Sequence, residues 1–211
     1  GAVGSVVSGY GTVNGATVYA YAQDVSVKGG AVDKSAALKI KKLYELAAKN
    51  GAPVVAVFDS KGGDINEGME VLADYGDIIK ASAAISGVVP QIAVITGVCA
   101  GAAAAIASMA DVTIMTEKAE LFLTAPFNTP DGKLEGAGKA ANAAKSGVAD
   151  ILAKDDAEAI AKAKKLAAIL PANNISLAGN DDFAENDAAV SASMKGADLV
   201  AALADKNSTV E

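Results

Sequence analysis

The fold is decided by the stretch Val57-Phe58-Asp59-Ser60-Lys61-Gly62-Gly63-Asp64-Ile65-Asn66-Glu67-Gly68. An apolar run over residues 53–58 leads into it, a glycine pair follows, and the next residues are compatible with a helix from Ile65 to about Ala84. Glycines let the backbone approach a ligand closely, and the start of a helix offers N–H groups without an intrahelical acceptor. The stretch therefore predicts a buried strand that turns into a helix beside a ligand.

A second stretch has the same layout. Residues 91–96 predict another buried strand, which Gly97 and Cys99-Ala100-Gly101-Ala102 join to an alanine-rich helix predicted over residues 101–110. Two strand–glycine–helix turns can supply two backbone N–H donors to one oxyanion. This pair of turns is the main functional indication in the chain.

The remaining elements predict an α/β protein. Alternating apolar and polar residues over 5–13 and 17–27 flank Asn14-Gly15, a pair typical of a tight hairpin turn. Asp33 is a predicted helix cap, and Asn50-Gly51 is the predicted end of that helix. The other predictions are strands over 112–115 and 121–123, an exposed loop or lid over 129–144, a helix from Asp155-Asp156 through Leu170, and, over 171–211, a polar loop with a short C-terminal helix.

Composition excludes several classes of function. The net charge of −7 argues against a nucleic-acid groove, which needs clustered basic residues. The chain has no His, which removes the usual general base and the commonest metal ligand. Its single cysteine, Cys99, cannot build a cysteine-based zinc site or an internal disulfide. We expect no metal cofactor, and we interpret Cys99 as a buried core residue.

Length and hydropathy predict one domain over residues 1–211. Residues 81–110 carry no charge, but Pro90, Gly97 and Gly101 interrupt them, so they are interpreted as core rather than as a membrane span. No signal peptide is recognisable, and a chain with one cysteine suits a reducing compartment. We therefore expect a cytoplasmic protein.

Several ordered blocks of this sequence resemble biotin-dependent carboxyltransferases. The family includes acetyl-, propionyl- and methylmalonyl-CoA carboxyltransferases and decarboxylases such as glutaconyl-CoA decarboxylase. The resemblance runs from about Val3 to Ala149 and weakens towards the end. The blocks that carry it are Val7-Ser8-Gly9-Tyr10-Gly11-Thr12-Val13-Asn14-Gly15, Tyr21-Ala22-Gln23-Asp24, Asn50-Gly51-Ala52-Pro53-Val54, Asp59-Ser60 with Gly62 and residues 65–68, Ser86-Gly87-Val88-Val89-Pro90-Gln91-Ile92, Cys99-Ala100-Gly101, and Lys145-Ser146-Gly147-Val148-Ala149.

The resemblance implies a crotonase (ClpP-like) fold built from ββα units. It also implies that the chain corresponds to the N-terminal half of such an enzyme, the half that holds the acyl-CoA. Backbone amides would stabilise a thioester enolate, without a metal. The expected partners are a biotin-binding C-terminal half or subunit, a biotin carrier protein and further copies in an oligomer; a decarboxylase would in addition sit next to a membrane subunit.

Carried over residue by residue, the predicted amide donors are Lys61, Gly62 and Gly63 in the first turn and Gly101 and Ala102 in the second. For cofactor binding, the candidates are Lys28 and the adjacent Gly29-Gly30, with Lys28 meeting a phosphate of coenzyme A. A solvated hairpin lysine is the competing interpretation of Lys28.

The chain departs from the family pattern at four positions near these turns. Lys61, Asp64, Ala102 and Asp150 stand where members usually have Gly, Arg, Gly and His. Three alternatives stay open: a non-catalytic scaffold subunit of such a complex, a crotonase-type hydratase or isomerase, and a ClpP-like protease using Ser60. The second turn has no glutamate to act as a hydratase base, and the chain has no His for a protease.

Overall fold

The computed structural model describes residues 4–125, 136–177 and 183–210. The strands within these residues are β1 (Val6–Val13), β2 (Ala16–Gln23), β3 (Val54–Phe58), β4 (Gln91–Ile95), β5 (Val98–Ala100), β6 (Val112–Thr116), β7 (Glu120–Phe122) and β8 (Ile151–Ala153). The helices are α1 (Lys34–Asn50), α2 (Glu70–Ala84), α3 (Ala102–Ser108), α4 (Ala140–Ser146), α5 (Asp156–Ile169) and α6 (Ala197–Leu203).

Six strands form a sheet in the order β1-β2-β3-β4-β6-β8, and β5 pairs with β7 in a separate two-stranded sheet. β1 and β2 are antiparallel, while every other pairing between these strands is parallel. The predicted hairpin is confirmed: Asn14 and Gly15 have φ of 48° and 79°, the left-handed values that a tight type I′ turn requires. The α/β architecture is therefore as predicted.

The sheet lies between two helical layers. One apolar cluster joins alternate residues of β3 to α1, α2 and α3, and a second cluster joins the intervening residues to α5. Phe58 belongs to the first cluster and Val55 to the second, because successive side chains of a strand point to opposite faces. The prediction of a strand covered on both faces is confirmed.

The capping signals also behave as predicted. The Asp33 carboxylate accepts the N–H of Ala36 at 2.9 Å, and Gly51 ends α1 with a left-handed φ of 60°. Asp155 caps α5 in the same manner as Asp33 caps α1. α1 buries Leu43 against the sheet, whereas its Leu38 is exposed.

Two predicted elements were wrong in extent, and two strands were missed. The helix expected from Ile65 is interrupted, because a short 3-10 turn over Ile65–Glu67 ends at Gly68, whose φ of 58° and ψ of −131° suit only glycine. Within the expected loop of residues 129–144, Ala140–Ser146 forms α4 and buries Ala140; residues 129–135 lie outside the described part of the chain. The strands β5 and β8 were not predicted.

The uncharged stretch of residues 81–110 is divided among α2, β4, β5 and α3. Across the described ranges, no helix is long and apolar enough to cross a membrane. The interpretation of this stretch as core is confirmed for Ile92, Ile95, Cys99 and Ala107, all of which are buried.

Candidate active site

The two predicted turns lie side by side. They follow β3 and β4, which are neighbouring parallel strands, so both begin at the same edge of the sheet. The N–H of Thr96 donates to the carbonyl of Phe58 at 3.0 Å, and the N–H of Ser60 donates to the carbonyl of Val98 at 2.9 Å. Asp59 fills the space above Gly97, where an added Cβ would lie 2.0 Å from its Oδ1. The first turn therefore runs directly along β5 into the region of the second.

Ser60 fixes the shape of the first turn. Its side chain is buried, its hydroxyl lies 2.7 Å from the carbonyl oxygen of Gly30, and its Oγ accepts the N–H of Gly62 at 3.0 Å. Gly62 has a φ of 111°, which L side chains rarely adopt. The Ser60 hydroxyl is thus engaged in holding the turn, which argues against its use as a protease nucleophile.

Residues 28–32 form backbone hydrogen bonds with the first turn, and we call this segment the brace. The N–H of Lys61 donates to the carbonyl of Gly29 at 2.9 Å. The N–H of Val32 donates to the carbonyl of Gly62 at 2.9 Å, and the N–H of Asp64 donates to the carbonyl of Val32 at 2.8 Å. These bonds have the pattern of a short parallel bridge. The brace therefore holds the first turn from the side opposite β5.

The predicted cofactor residues Lys28, Gly29 and Gly30 are part of this brace. All three have positive φ, at 51°, 67° and 69°. A Cβ on Gly30 would lie 2.2 Å from the carbonyl oxygen of Asp59, so only glycine lets the brace approach this closely. Their geometry gives them a structural task, and their contact with coenzyme A stays a prediction.

The hydrogen bonds of the turns divide the five predicted donors into two groups. The N–H groups of Lys61 and Gly62 are used internally, and that of Gly101 donates to the carbonyl of Phe122 at 3.0 Å. Within the described part of the chain, the N–H groups of Gly63 and Ala102 have no acceptor. Ala102 is the first residue of α3, where an N–H has no intrahelical acceptor. Gly63 and Ala102 are the two donors that remain available to a ligand.

Charges surround the first turn. Lys28 Nζ lies 3.2 Å from Asp33 Oδ2 and 3.1 Å from Asp64 Oδ2. The hydrogen bond to Asp64 raises the pKa of Lys28, and the backbone N–H of Asn66, followed by Lys28, lowers the pKa of Asp64. Both groups are therefore charged at neutral pH.

Asp64 and Glu67 are not the simple dipole-matching pair that their spacing suggests, because the helix they were expected to begin does not start there. Asp64 caps the 3-10 turn by accepting the N–H of Asn66 at 3.0 Å. Glu67 instead accepts the N–H of Lys34 at 2.9 Å and so caps α1. The sequence carries no signal for the contact of Asp64 with Lys28 or for that of Glu67 with Lys34, since the partners are more than thirty residues apart.

Cys99 is buried, as predicted. Burial raises the pKa of its thiol to about 12, so the thiol stays protonated at neutral pH. Because the thiolate is the reactive form, Cys99 is a packing residue and not a nucleophile. In the part of the chain that the structure describes, no cluster of three or more acidic or cysteine side chains is arranged to hold a metal ion. The expectation of a metal-free reaction stays a prediction.

A cavity of about 440 Å³ opens at the first turn. Gly63, one of the two available donors, lines it, and so do both lysines of the site; the complete lining is Lys28, Ala31, Lys61, Gly63, Asp64, Ile65 and Asn66. A larger cavity of about 890 Å³ lies between the hairpin and α1, but none of the five predicted donors lines it. The smaller cavity is therefore the better candidate for a substrate, although its lining includes Gly63 and not Ala102.

The comparisons with known proteins identify a family. Residues 2–204 match the carboxyl transferase domain family. The chain is 40% identical over 176 residues to the propionyl-CoA carboxylase beta chain of Roseobacter denitrificans, covering 80% of this chain and 34% of that protein. It is also 40% identical over 178 residues to the methylmalonyl-CoA decarboxylase subunit alpha of Propionigenium modestum, covering 81% of this chain and 34% of that protein.

A solved structure shows the same fold. Transcarboxylase 12S, crystallised with hydrolysed methylmalonyl-coenzyme A bound, superimposes with a TM-score of 0.81 and 37% identity, covering 87% of this chain and 37% of that one. The predicted crotonase (ClpP-like) fold is confirmed. The chain belongs to the carboxyl transferase domain family, and it spans about a third of the length of the curated relatives it matches, 34% for each of the two named here.

Proposed function

We propose that this chain is the acyl-CoA-binding half of a biotin-dependent carboxyltransferase or decarboxylase. The observation that carries the proposal is the pair of available N–H groups, Gly63 and Ala102, on two turns that lie side by side. Two such donors are what a thioester oxygen needs when it gains negative charge. Family membership supports the choice of an acyl-CoA over other oxyanion-forming substrates.

The proposed chemistry needs no side-chain acid or base from these turns. When the bond between the α-carbon and the carboxylate breaks, its electron pair moves towards the thioester carbonyl, and the resulting enolate oxygen is held by Gly63 and Ala102. Amide donors that are fixed in advance stabilise this charge without reorganising. Ser60 and the brace supply that fixation, because they hold the first turn by side-chain and backbone hydrogen bonds. Biotin, when bound, would accept the carboxyl group at a ring nitrogen, and the proton displaced from that nitrogen would go to the α-carbon; carboxylation would be the same exchange in reverse.

The partners follow from the length of the relatives. Since the chain covers about a third of them, we propose that a biotin-holding C-terminal half or subunit, together with a biotin carrier protein, completes the site. An oligomer is part of this proposal, and hexamer assembly is described for transcarboxylase 12S. In the decarboxylase version, a membrane subunit would be a further partner.

The sharpest test removes one donor and leaves its turn intact. Ala102→Pro deletes the N–H at the first position of α3, where proline is tolerated because that N–H has no intrahelical acceptor. Gly101, with φ 59° and ψ −124°, adopts the mirror image of the extended conformation that the residue before a proline favours. We expect turnover with the complementary half to fall by about 10²- to 10³-fold, as for other single oxyanion donors.

α6 offers a matched control. It also has seven residues, it begins at Ala197, and the preceding Gly196 has φ 56° and ψ −130°, nearly the same as Gly101. Ala197→Pro should therefore leave turnover unchanged, and both variants should keep the thermal unfolding midpoint of the wild type. Equal turnover in the two variants would refute the role of Ala102. If calorimetry detects no binding of any short acyl-CoA to the wild type, the scaffold alternative is favoured.

A further inference from the structure

The two lysines of the 440 Å³ cavity differ in how their charge is compensated. Lys28 lies within 3.2 Å of two carboxylates, those of Asp33 and Asp64. Lys61 forms no ion pair with any residue that the structure describes. Of the two nearest carboxylates in sequence, Asp59 lies against Gly97, and Asp64 is already engaged by Lys28 and by Asn66. Lys61 is thus a lining residue of the candidate substrate cavity whose charge has no ion-pair partner among the described residues.

Lys61 is also positioned by its surroundings. Its N–H is held by the carbonyl of Gly29, and its stem crosses the space that a side chain at residue 29 would occupy. A Cβ on Gly29 would lie 2.7 Å from the Lys61 Cδ, so the missing side chain makes room for the stem. Lys61 is not among the described non-glycine residues with positive φ, so its backbone is unstrained. The brace therefore carries the lysine as well as the turn.

The cavity thus offers two kinds of contact to an acyl group. Gly63 presents an available N–H, which suits the thioester oxygen, and Lys61 presents an ammonium, which suits a full negative charge. A volume of about 440 Å³ is within the range of small-molecule sites. An acyl group that carries both a thioester and a carboxylate satisfies both contacts, whereas a plain aliphatic acyl group leaves the ammonium without a partner.

We propose that Lys61 is a specificity-determining residue that binds a carboxylate of the acyl group, so that the site prefers dicarboxylic acyl thioesters to their monocarboxylic counterparts. This inference rests on the proposed function, because it takes the acyl-CoA site as given.

Calorimetry with pairs of ligands that differ by one carboxylate tests the inference. Suitable pairs are methylmalonyl-CoA with propionyl-CoA, and glutaryl-CoA with butyryl-CoA. Lys61→Met keeps the length of the stem and removes the charge, and it should weaken binding of the dicarboxylic member of at least one pair by about tenfold while the monocarboxylic member changes by less than about twofold. Lys61→Arg should retain the preference of the wild type.

Lys49→Met is the matched control, because it changes the net charge by the same amount as Lys61→Met. Lys49 is exposed near the end of α1 and does not line the cavity. It should leave all four affinities unchanged. An equal loss for both members of a pair would show that Lys61 contacts the phosphates of coenzyme A, and it would overturn the inference, as would unchanged binding in Lys61→Met. If the wild type binds none of the four ligands, the result would instead contradict the proposed function.

Discussion

The two turns of the candidate site provide the same kind of group by different means. The first turn is held by distant parts of the chain, since the brace and β5 both form hydrogen bonds with it. The second turn also has a long-range bond, from the N–H of Gly101 to the carbonyl of Phe122, but its available donor is set locally, because Ala102 is the first residue of a helix. The available N–H in the first turn depends on long-range packing, whereas in the second it follows from the geometry of any helix start.

This difference has consequences for substitution. A change in the first turn disturbs several segments at once, and its effect should appear in stability as well as in binding. A change in the second turn is confined to a short connection between β5 and α3, and its effect should be smaller on stability. Glycine substitutions in the brace, which holds the first turn, and in the second turn test this contrast.

The largest effect is expected from Gly30→Ala in the brace. The new Cβ would lie 2.2 Å from the carbonyl oxygen of Asp59, and the φ of 69° is unfavourable for alanine. Overpacking and backbone strain together should lower the free energy of unfolding by about 3 kcal/mol or more. Urea denaturation measures this loss in the free energy of unfolding. Gly15→Ala is the control: the φ there is 79°, but no atom lies within 4 Å of an added Cβ, so the loss of stability should be about 1 kcal/mol. Equal losses in the two variants would contradict the close approach of Gly30 to Asp59.

An intermediate effect is expected from Gly101→Ala in the second turn. Its φ of 59° is unfavourable for alanine, yet an added Cβ would meet nothing within 4 Å. The loss should therefore be strain alone, about 1–3 kcal/mol, and smaller than for Gly30→Ala. The same urea titration measures it. A loss larger than that of Gly30→Ala would show that the second turn, and not the first, depends more on its tertiary contacts.

The smallest effect is a pH dependence that only the first turn should show. The pKa of Asp64 is lowered in the folded state by Asn66 and Lys28, so its ionised form stabilises the fold above the ordinary carboxyl pKa of about 4. That contribution is lost as the pH falls through the lowered value. Asp64→Asn should be less stable than the wild type at pH 6, and the difference should shrink below about pH 4.

The measurement is the urea midpoint between about pH 2.5 and 6, which brackets the ordinary carboxyl pKa. Asp187→Asn is the control, since Asp187 is exposed and forms no ion pair within the described residues. Its difference from the wild type should be small at every pH. If the loss of stability in Asp64→Asn is the same at every pH, the Asp64 side chain contributes through its hydrogen bonds and not through its charge.

Much of the fold was predictable because its signals are local. Asn14-Gly15 specifies the hairpin, Asp33 and Asp155 specify helix starts, and the apolar run before Asp59 specifies a buried strand. The misplaced elements are those without such signals. β5 and β8 have three residues each, too few for a pattern, and they exist as strands because β7 and β6 pair with them.

The site was predictable in outline and not in detail. The glycine pairs located both turns, and the resemblance supplied five candidate donors. Which of the five are available depends on acceptors elsewhere in the chain: Gly29 takes the N–H of Lys61, and Phe122 takes that of Gly101. The pairing of Lys28 with Asp64 likewise joins residues 36 positions apart.

The sequence alone determined the hairpin, the helix caps, the two glycine-containing turns and the absence of His, because periodicity, caps and composition are properties of neighbouring residues. Only the tertiary structure decided that Gly63 and Ala102 keep their N–H groups available and that Lys61, unlike Lys28, keeps an uncompensated charge within the described site. Hydrogen bonds and ion pairs are settled by distances in space, and those distances arise when the brace, β5 and the first turn pack together.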